Sequence, residues 1–435
     1  MELTIEKLVY GGDGLARLPA DEHGRGKAVF VPFVLPGEKI EAELSEQRPG
    51  FARARAEKML QASAHRTQPQ CPYFGQCGGC HYQHASYEYQ LELKAAILRE
   101  NLRRIAKLEL ANELIVHASP PWEYRNRTRL RVQTAPQFAL GYYKLNSHEL
   151  LPVERCPISS PLLNRAIAAV WEWGRAGGVS PGMQEIEFFA DAEGEQLLLE
   201  AYVSPEVSIA DAEVLAHELL KNLPQAVGAT VFHRAARNTA EQSAEGPRRV
   251  AAAGSSALKY KTLQGIYQVS TGGFFQVNRY LIGKLTDIVR DGFSGQIALD
   301  LYAGVGLFAL ALAPSFAQVI AVEASQTSHA DLLHNSGAQV KAVRARTEHY
   351  LQKLGRKLRA DLVVVDPPRA GLGERVVQSL VELAAPRLAY VSCDPATLAR
   401  DLAGLLRAGY RIEQAHLVDL FPQTYHIESV FHLAR

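Results

Sequence analysis

The chain has 435 residues, too many for one ordinary hydrophobic core and enough for two or three domains. Hydrophobic residues make up 47% and charged residues 21%, a globular balance that excludes wholesale disorder. The 47 Lys and Arg offset 46 Asp and Glu, which excludes a generally polybasic protein; any nucleic-acid contact must come from local patches. The opening residues, Met1 to Lys7, show neither a basic stretch nor an apolar run, and no apolar run reaches the roughly 20 residues that span a bilayer. A cytoplasmic protein without a membrane segment is therefore expected.

The first sixty residues read as short strands and turns. Gly11-Gly12-Asp13-Gly14 and Pro36-Gly37 are turn signals, Lys27 to Val34 is β-rich, and Ile40, Ala42 and Leu44 alternate on one side of a strand. The spacing predicts a small barrel. Three of the five cysteines then fall within ten residues as Cys71, Cys77 and Cys80, and Cys156 follows later. Four thiolates suit zinc or an iron–sulfur cluster. A single Cys-x2-Cys pair, with Gly78-Gly79 leaving backbone N–H groups free to approach sulfur, favours a 4Fe-4S cluster over zinc, and disulfides rank last in a reducing compartment.

A helix is expected from Tyr87 to Leu108, and a strand from Tyr124 to Val132. In that strand Arg125, Arg127, Arg129 and Arg131 recur at every second position, so they share one face. The row would span about 20 Å and reads as a phosphate track, the alternative being a face paired with carboxylates. Ile186 to Val203 reads as a hairpin, Ser208 to Leu223 as an amphipathic helix, and Ala235 to Ser256 as an exposed loop.

From about Gly295 buried strands alternate with helices: Ile297–Tyr302, Gln318–Glu323, Val340–Ala345, Leu362–Asp366 and Arg387–Ser392. This α/β pattern predicts a doubly wound, mostly parallel sheet. The first strand runs into Asp300-Leu301-Tyr302-Ala303-Gly304-Val305-Gly306, a turn that lets a ligand approach the backbone. Glu323 closes the next strand, where a carboxylate can accept hydrogen bonds from ribose hydroxyls. The third glycine of a dinucleotide fingerprint is missing, which leans toward S-adenosylmethionine over NAD. Asp366-Pro367-Pro368-Arg369 and Ser392-Cys393 stand at carboxyl ends of strands, the edge where open α/β sheets bind ligands. Cys393 there is a candidate nucleophile, against the bland fate of a buried structural cysteine. Glu428, in a late strand, is a candidate base or a surface charge.

Together these residues resemble the RNA 5-methyluridine methyltransferases, in the subgroup with an N-terminal TRAM domain and an iron–sulfur cluster. Phe274-Phe275-Gln276-Val277-Asn278, Asp300 to Gly306, Asp366 to Arg369, Ser392-Cys393 and His426-Ile427-Glu428 carry the likeness, in the family's order. The resemblance implies a TRAM β-barrel over 1–60 that binds RNA, a central α+β iron–sulfur domain over 61–270, and a Rossmann-like class I methyltransferase domain over 271–435. It implies Cys71, Cys77, Cys80 and Cys156 as 4Fe-4S ligands, and Gln276, Tyr302, Glu323 and Asp366 around S-adenosylmethionine. It makes Cys393 the nucleophile at carbon 6 of uracil and Glu428 the acceptor of the carbon-5 proton. Large-subunit 23S rRNA is the first expected substrate and tRNA the second, with a monomeric enzyme. A 5-methylcytidine methyltransferase and a non-catalytic RNA-binding or assembly protein are the competing functions. Asp394 departs from the family's usual Asn after the nucleophile, and Leu307 stands at a position that is often polar.

Overall fold

The computed structural model describes residues 1–19, 26–234, 247–355 and 358–435. Among the described residues three larger sheets and one hairpin form. The first sheet comprises β1 (Glu2–Thr4), β2 (Lys7–Leu8), β3 (Gly14–Arg17), β4 (Ala28–Val31), β5 (Lys39–Gln47) and β6 (Phe51–Gln61), in the order β1-β5-β6-β4-β3-β2. Glu6 N–H donates to the Leu15 carbonyl at 2.8 Å, extending the pairing of β2 with β3. Ile40 and Ala42 face inward with Leu3, Ile5, Val29 and Val31, as the period-2 pattern requires. The Arg66 guanidinium grips buried Glu38 at 2.6 and 2.7 Å, tying the segment after β6 back to the sheet.

Helix α1 (Tyr87–Asn101) follows the cysteine segment, with Glu88 in its first turn and Arg99 in its last, both complementing the helix dipole. A single π-helical stretch, Leu102–Ala106, extends it and stops at Lys107 in the left-handed conformation. The short strand β7 (Leu114–His117) comes next. The middle sheet contains β8 (Arg127–Gln133), β9 (Ala139–Tyr143), β10 (Leu150–Pro152), β11 (Met183–Ala190), β12 (Leu197–Val203), β13 (Ala226–His233) and β14 (Arg248–Gly254), ordered β10-β9-β8-β11-β12-β13-β14. Helices α2 (Pro161–Arg175) and α3 (Ile209–Asn222) pack on it, each opened by a serine cap, Ser160 and Ser208. The expected loop over 235–256 is corrected here. Residues 235–246 lie outside the described residues, but Arg248–Gly254 is a strand paired with β13. Its small residues, Ala251 and Ala253, let it lie close beneath α3, a tertiary demand that composition did not announce.

After the hairpin β15 (Ala257–Thr262) and β16 (Gly265–Ser270) comes the doubly wound sheet. Its elements are α4 (Ile282–Arg290), β17 (Gly295–Leu301), α5 (Leu307–Leu312), β18 (Phe316–Glu323), α6 (Gln326–Asn335), β19 (Val340–Arg344), α7 (Thr347–Leu354), β20 (Leu362–Val365), α8 (Gly373–Leu383), β21 (Arg387–Ser392), α9 (Pro395–Arg407), β22 (Arg411–Val418) and β23 (Glu428–Ala434). The order is β19-β18-β17-β20-β21-β23-β22-β7, parallel except for β23, which runs against both neighbours. Helices α1, α7, α8 and α9 cover one face, and α4, α5 and α6 the other. Chain order reverses between β17 and β20, so a crevice opens at their carboxyl ends. No helix among the described residues is long and apolar enough to cross a membrane.

Candidate active site

At the end of β17 the chain turns through Tyr302, Gly304 and Gly306, all with positive φ (64°, 56° and 96°). At Gly306 an added Cβ would come within 2.8 Å of Leu332, so both conformation and space call for glycine. Glu323, closing β18, accepts the Gly304 N–H at 2.8 Å and the Ser325 N–H at 2.6 Å. Tyr302 and Glu323 line a crevice of 540 Å³ with Ala324, Arg346 and Arg375. Gln276 is buried ahead of α4, its backbone carbonyl held by Asn126 at 3.1 Å, and is not among the residues lining that crevice.

Three further acids meet near the same edge. Asp300 is wholly buried on β17, and neither oxygen of its carboxylate has a hydrogen-bond partner. Burial, then Asp366 and Glu323, push its pKa well up, although the Ala309 N–H, too poorly aligned for a hydrogen bond, eases the charge. Asp366 leaves β20 and is pushed up to about 7 by burial. Glu428, buried at the start of β23, is raised by burial and by Asp366. This cradle of anionic groups is the electrostatic complement of a cation.

Cys393 follows the last residue of β21. The register pairs Ser392 with Ser429, so Cys393 falls opposite Glu428 by continuation of the same ladder. Ser429 Oγ donates to the Ser392 carbonyl at 3.3 Å and ties the two strands at that point. Burial, Glu428 and Asp366 push the thiol up to about 12, while Arg369 pulls it down and Asp394 adds to the rise. Asp394 is the N-cap of α9, accepting from Ala396 N–H at 3.0 Å and Thr397 N–H at 2.9 Å. An asparagine oxygen could serve the same cap, so the departure preserves the local fold.

A cleft of 920 Å³ lies between the first sheet, the cysteine segment and the β22–β23 connection. Arg53, Arg55, Arg125 and Arg369 contribute positive charge, and Tyr10 and Tyr425 contribute rings. The connection is clamped from α1: Lys94 meets Asp419 at 2.6 Å, both fully buried, and Gln90 meets Gln423 at 3.0 Å.

Cys71, Cys77, Cys80 and Cys156 line a separate cavity of 280 Å³ with Arg125 and Tyr142, and all four are free thiols. Burial raises Cys77 to about 11, opposed by the Gly79 N–H; Cys71 is raised too, opposed by the N–H groups of Tyr73 and Phe74. Negative charge on Cys156 acts on all three others, so the four sulfurs are neighbours. Among the described residues no group of three or more His, Cys, Asp or Glu is spaced to hold one metal ion. Four sulfurs around a shared void, with N–H donors aimed at them and an apolar lining of Tyr124, Ile158 and Phe74, fit a group larger than a single ion.

The family model described as tRNA (uracil-5-)-methyltransferase matches residues 86–435, and a TRAM domain model matches residues 1–56. The chain belongs to the tRNA (uracil-5-)-methyltransferase family. It is an RNA methyltransferase with an N-terminal TRAM domain. Similar proteins include an uncharacterised RNA methyltransferase of Caldanaerobacter subterraneus, 31% identical over 99% of this chain and 96% of that one. Another from Aquifex aeolicus is 31% identical over 99% and 97%. Among solved structures, the tRNA (uracil-54, C5)-methyltransferase of Pyrococcus abyssi in complex with S-adenosyl-L-homocysteine has a TM-score of 0.75, covers 100% of both chains and is 23% identical, a likeness of fold.

A second expectation about this methyltransferase is overturned. The arginine row is no phosphate track. Arg127 pairs with Glu187 and, at 3.1 Å, with Glu200; Arg129 pairs with Glu187 and Glu185; Arg131 pairs with Glu185. The acids stand on β11 and β12, far along the chain, and only the pairing of β8 with β11, and of β11 with β12, brings them to the arginines. Arg125 lies ahead of the strand and lines both the cysteine cavity and the cleft. The sequence reading also assigned nothing to Asp300, Arg369 or Tyr10. The first two sit inside motifs already singled out, where an acid ending a buried strand and a cation after Pro-Pro were available signals. For Tyr10 the sequence held no signal, because its proximity to Cys393 depends on how two separate units pack.

Proposed function

We propose that this methyltransferase transfers the methyl group of S-adenosylmethionine to carbon 5 of a uridine in RNA through a covalent adduct on Cys393. One observation carries the reading: Cys393 and Glu428 end two adjacent strands in matched register, at the edge where the cofactor crevice opens. Carbon 5 of uracil is too weak a nucleophile unless carbon 6 is first attacked. The Cys393 thiolate adds to carbon 6, and the electron pair released into the ring makes carbon 5 nucleophilic. When bound, S-adenosylmethionine supplies an electrophilic methyl, and its sulfonium charge lowers the pKa of Asp366, Glu428 and Cys393 together. Glu428 then removes the proton from carbon 5, and the ring expels the thiolate. Tyr302, Glu323, Gln276 and Asp366 would hold S-adenosylmethionine, with the Glu323 carboxylate suited to ribose hydroxyls. Asp300, buried without partners, suits the electrostatics of a cationic ligand.

The target base must leave its stack to reach the thiol, and the arginine- and tyrosine-lined cleft suits single-stranded RNA. Ribosomal RNA of the large subunit is the first substrate to test and tRNA the second. We assign 1–60 as the RNA-binding barrel, 61–270 as the cysteine-cluster and RNA-binding unit and 271–435 as the transferase unit of a cytoplasmic monomer. Cys71, Cys77, Cys80 and Cys156 would ligate a 4Fe-4S cluster, which would brace the loops that wall the cleft. Anaerobic protein should carry about four irons per chain; one zinc and no sulfide would refute that assignment. The catalytic reading is tested with RNA containing 5-fluorouridine, whose carbon-5 fluorine cannot be removed as a proton. A trapped adduct mapping to the Cys393 peptide is expected, and methyl transfer by Cys393→Ala would end the proposal. Mapping 5-methyluridine in ribosomal and transfer RNA of a deletion strain would name the target.

A further inference from the structure

Tyr10 belongs to the turn that leaves β2, 383 residues before Cys393. Its hydroxyl donates to the Cys393 carbonyl at 3.3 Å. Its ring meets Tyr425 edge-on, with centroids 5.5 Å apart at 90°. Tyr425 precedes Glu428 by three residues, so one side chain of the barrel touches the segments that carry both reacting groups. The barrel is seated firmly at this point: Leu8 joins the core beneath the transferase sheet, and Lys7 forms an ion pair with Glu100 of α1. Burial and the negative groups Asp394 and Cys393 raise the phenol's pKa, which keeps it a donor. Tyr425 is held from its other side, because His81 packs on it at 4.6 Å and Gln423 C=O accepts from the N–H groups of His81 and Tyr82 at 2.8 and 3.0 Å. The turn Val9 to Asp13 meanwhile lines the cleft, together with Arg53 and Arg55.

We propose that Tyr10 is a positioning residue that holds the Cys393 turn in register with Glu428 and couples seating of RNA against the barrel to adduct formation. The inference rests on the reading of Cys393 as nucleophile. Two fastenings between the strands lie within the transferase sheet, the β21–β23 ladder and the Ser429–Ser392 hydrogen bond. Tyr10 is a third fastening that comes from outside the sheet, on the side of the cleft. The barrel then does more than tether RNA, since its turn supports the peptide from which the thiol projects.

The test uses the full-length enzyme and single-turnover adduct formation on 5-fluorouridine RNA at saturating RNA and S-adenosylmethionine. Tyr10→Phe removes the hydrogen bond and keeps the ring, and should slow adduct formation about fivefold with RNA Kd unchanged. Tyr10→Ala removes the ring as well and should slow it about thirtyfold, so that phenylalanine recovers about sixfold of the loss. A purely structural role would lower the melting temperature and leave the rate per folded molecule alone. Wild-type adduct rates in Tyr10→Phe would overturn the proposal, as would a loss confined to RNA affinity. Because Tyr10→Phe retains the packing, its result decides the matter even where Tyr10→Ala does not fold. An adduct formed by Cys393→Ala would sink the nucleophile reading and this proposal with it, whereas an adduct lost in Cys393→Ala but formed at the wild-type rate in Tyr10→Phe would sink the Tyr10 proposal alone.

Discussion

Two charged regions of this methyltransferase differ in one respect. In the middle sheet, Arg127, Arg129 and Arg131 face Glu185, Glu187 and Glu200, and every one of these charges meets its opposite across a strand. At the edge of the transferase sheet, Asp366 acts on both Asp300 and Glu428, and Glu428 and Asp366 act on Cys393, with Arg369 as the cation acting on the thiol. The ladder spends its charge internally and holds strands together. The acid cradle leaves charge unbalanced, and its carboxyls and thiol are forced toward their neutral forms until a cationic ligand arrives. Charge balance, more than charge count, separates scaffold from chemistry here.

The largest test of that contrast lies in the cradle. Glu428→Gln should cut turnover about a thousandfold while still forming the adduct on ordinary uridine RNA, which then accumulates on denaturing gels. The same variant without ligands should react faster with iodoacetamide at pH 9 than the wild type, because removing the adjacent negative charge lowers the Cys393 pKa. In the ladder the effects should reverse. Glu187→Ala takes one of two acid partners from Arg127 and from Arg129 and should cost about 3 kcal/mol of stability in denaturant titration, with turnover per folded molecule unchanged. A loss of turnover without a loss of stability would erase the distinction.

Asp300→Asn sharpens it further. The folded-state pKa of Asp300 lies above its unfolded value, so the folded protein binds more protons and wild-type stability falls as pH rises from about 4 toward the folded pKa. The variant lacks that decline, so its melting temperature relative to wild type should climb across the window while activity drops. Equal pH dependence in both proteins would show that Asp300 ionises freely. The smallest effect concerns RNA. Arg55→Gln, in the cleft, should reduce the slope of log affinity against log salt by about 1, and Arg129→Gln, in the ladder, should leave it unchanged.

Local pattern served the sequence reading well where it was sufficient. Val363-Val364-Val365 and the runs before Tyr302, Glu323 and Cys393 are continuous buried strands bounded by turns, and all appear within one or two residues of the expected ends. Cys393, Asp366, Glu323 and Tyr302 reach the same sheet edge because strand ends in such sheets share an edge by construction. Arg127, Arg129 and Arg131 misled because periodicity places a row on one face and says nothing of what faces it. Glu185 and Glu187 show the same alternation, and only the pairing of two strands joins the two patterns. The strand Arg248–Gly254 and the contact from Tyr10 to Cys393 were hidden for the same reason: each exists through packing between segments far apart in the chain.

The outermost strand of the transferase sheet, Leu114–His117, comes from the front half of the chain and lies parallel to Arg411–Val418. A fragment beginning at residue 271 would therefore bare the hydrogen-bonding groups of Arg411–Val418 along an open flank, inviting strand-to-strand self-association. The transferase half is thus not a detachable cassette: it is finished by a piece of polypeptide synthesised before it, so recombination that swaps only the later half would leave a seam unsewn.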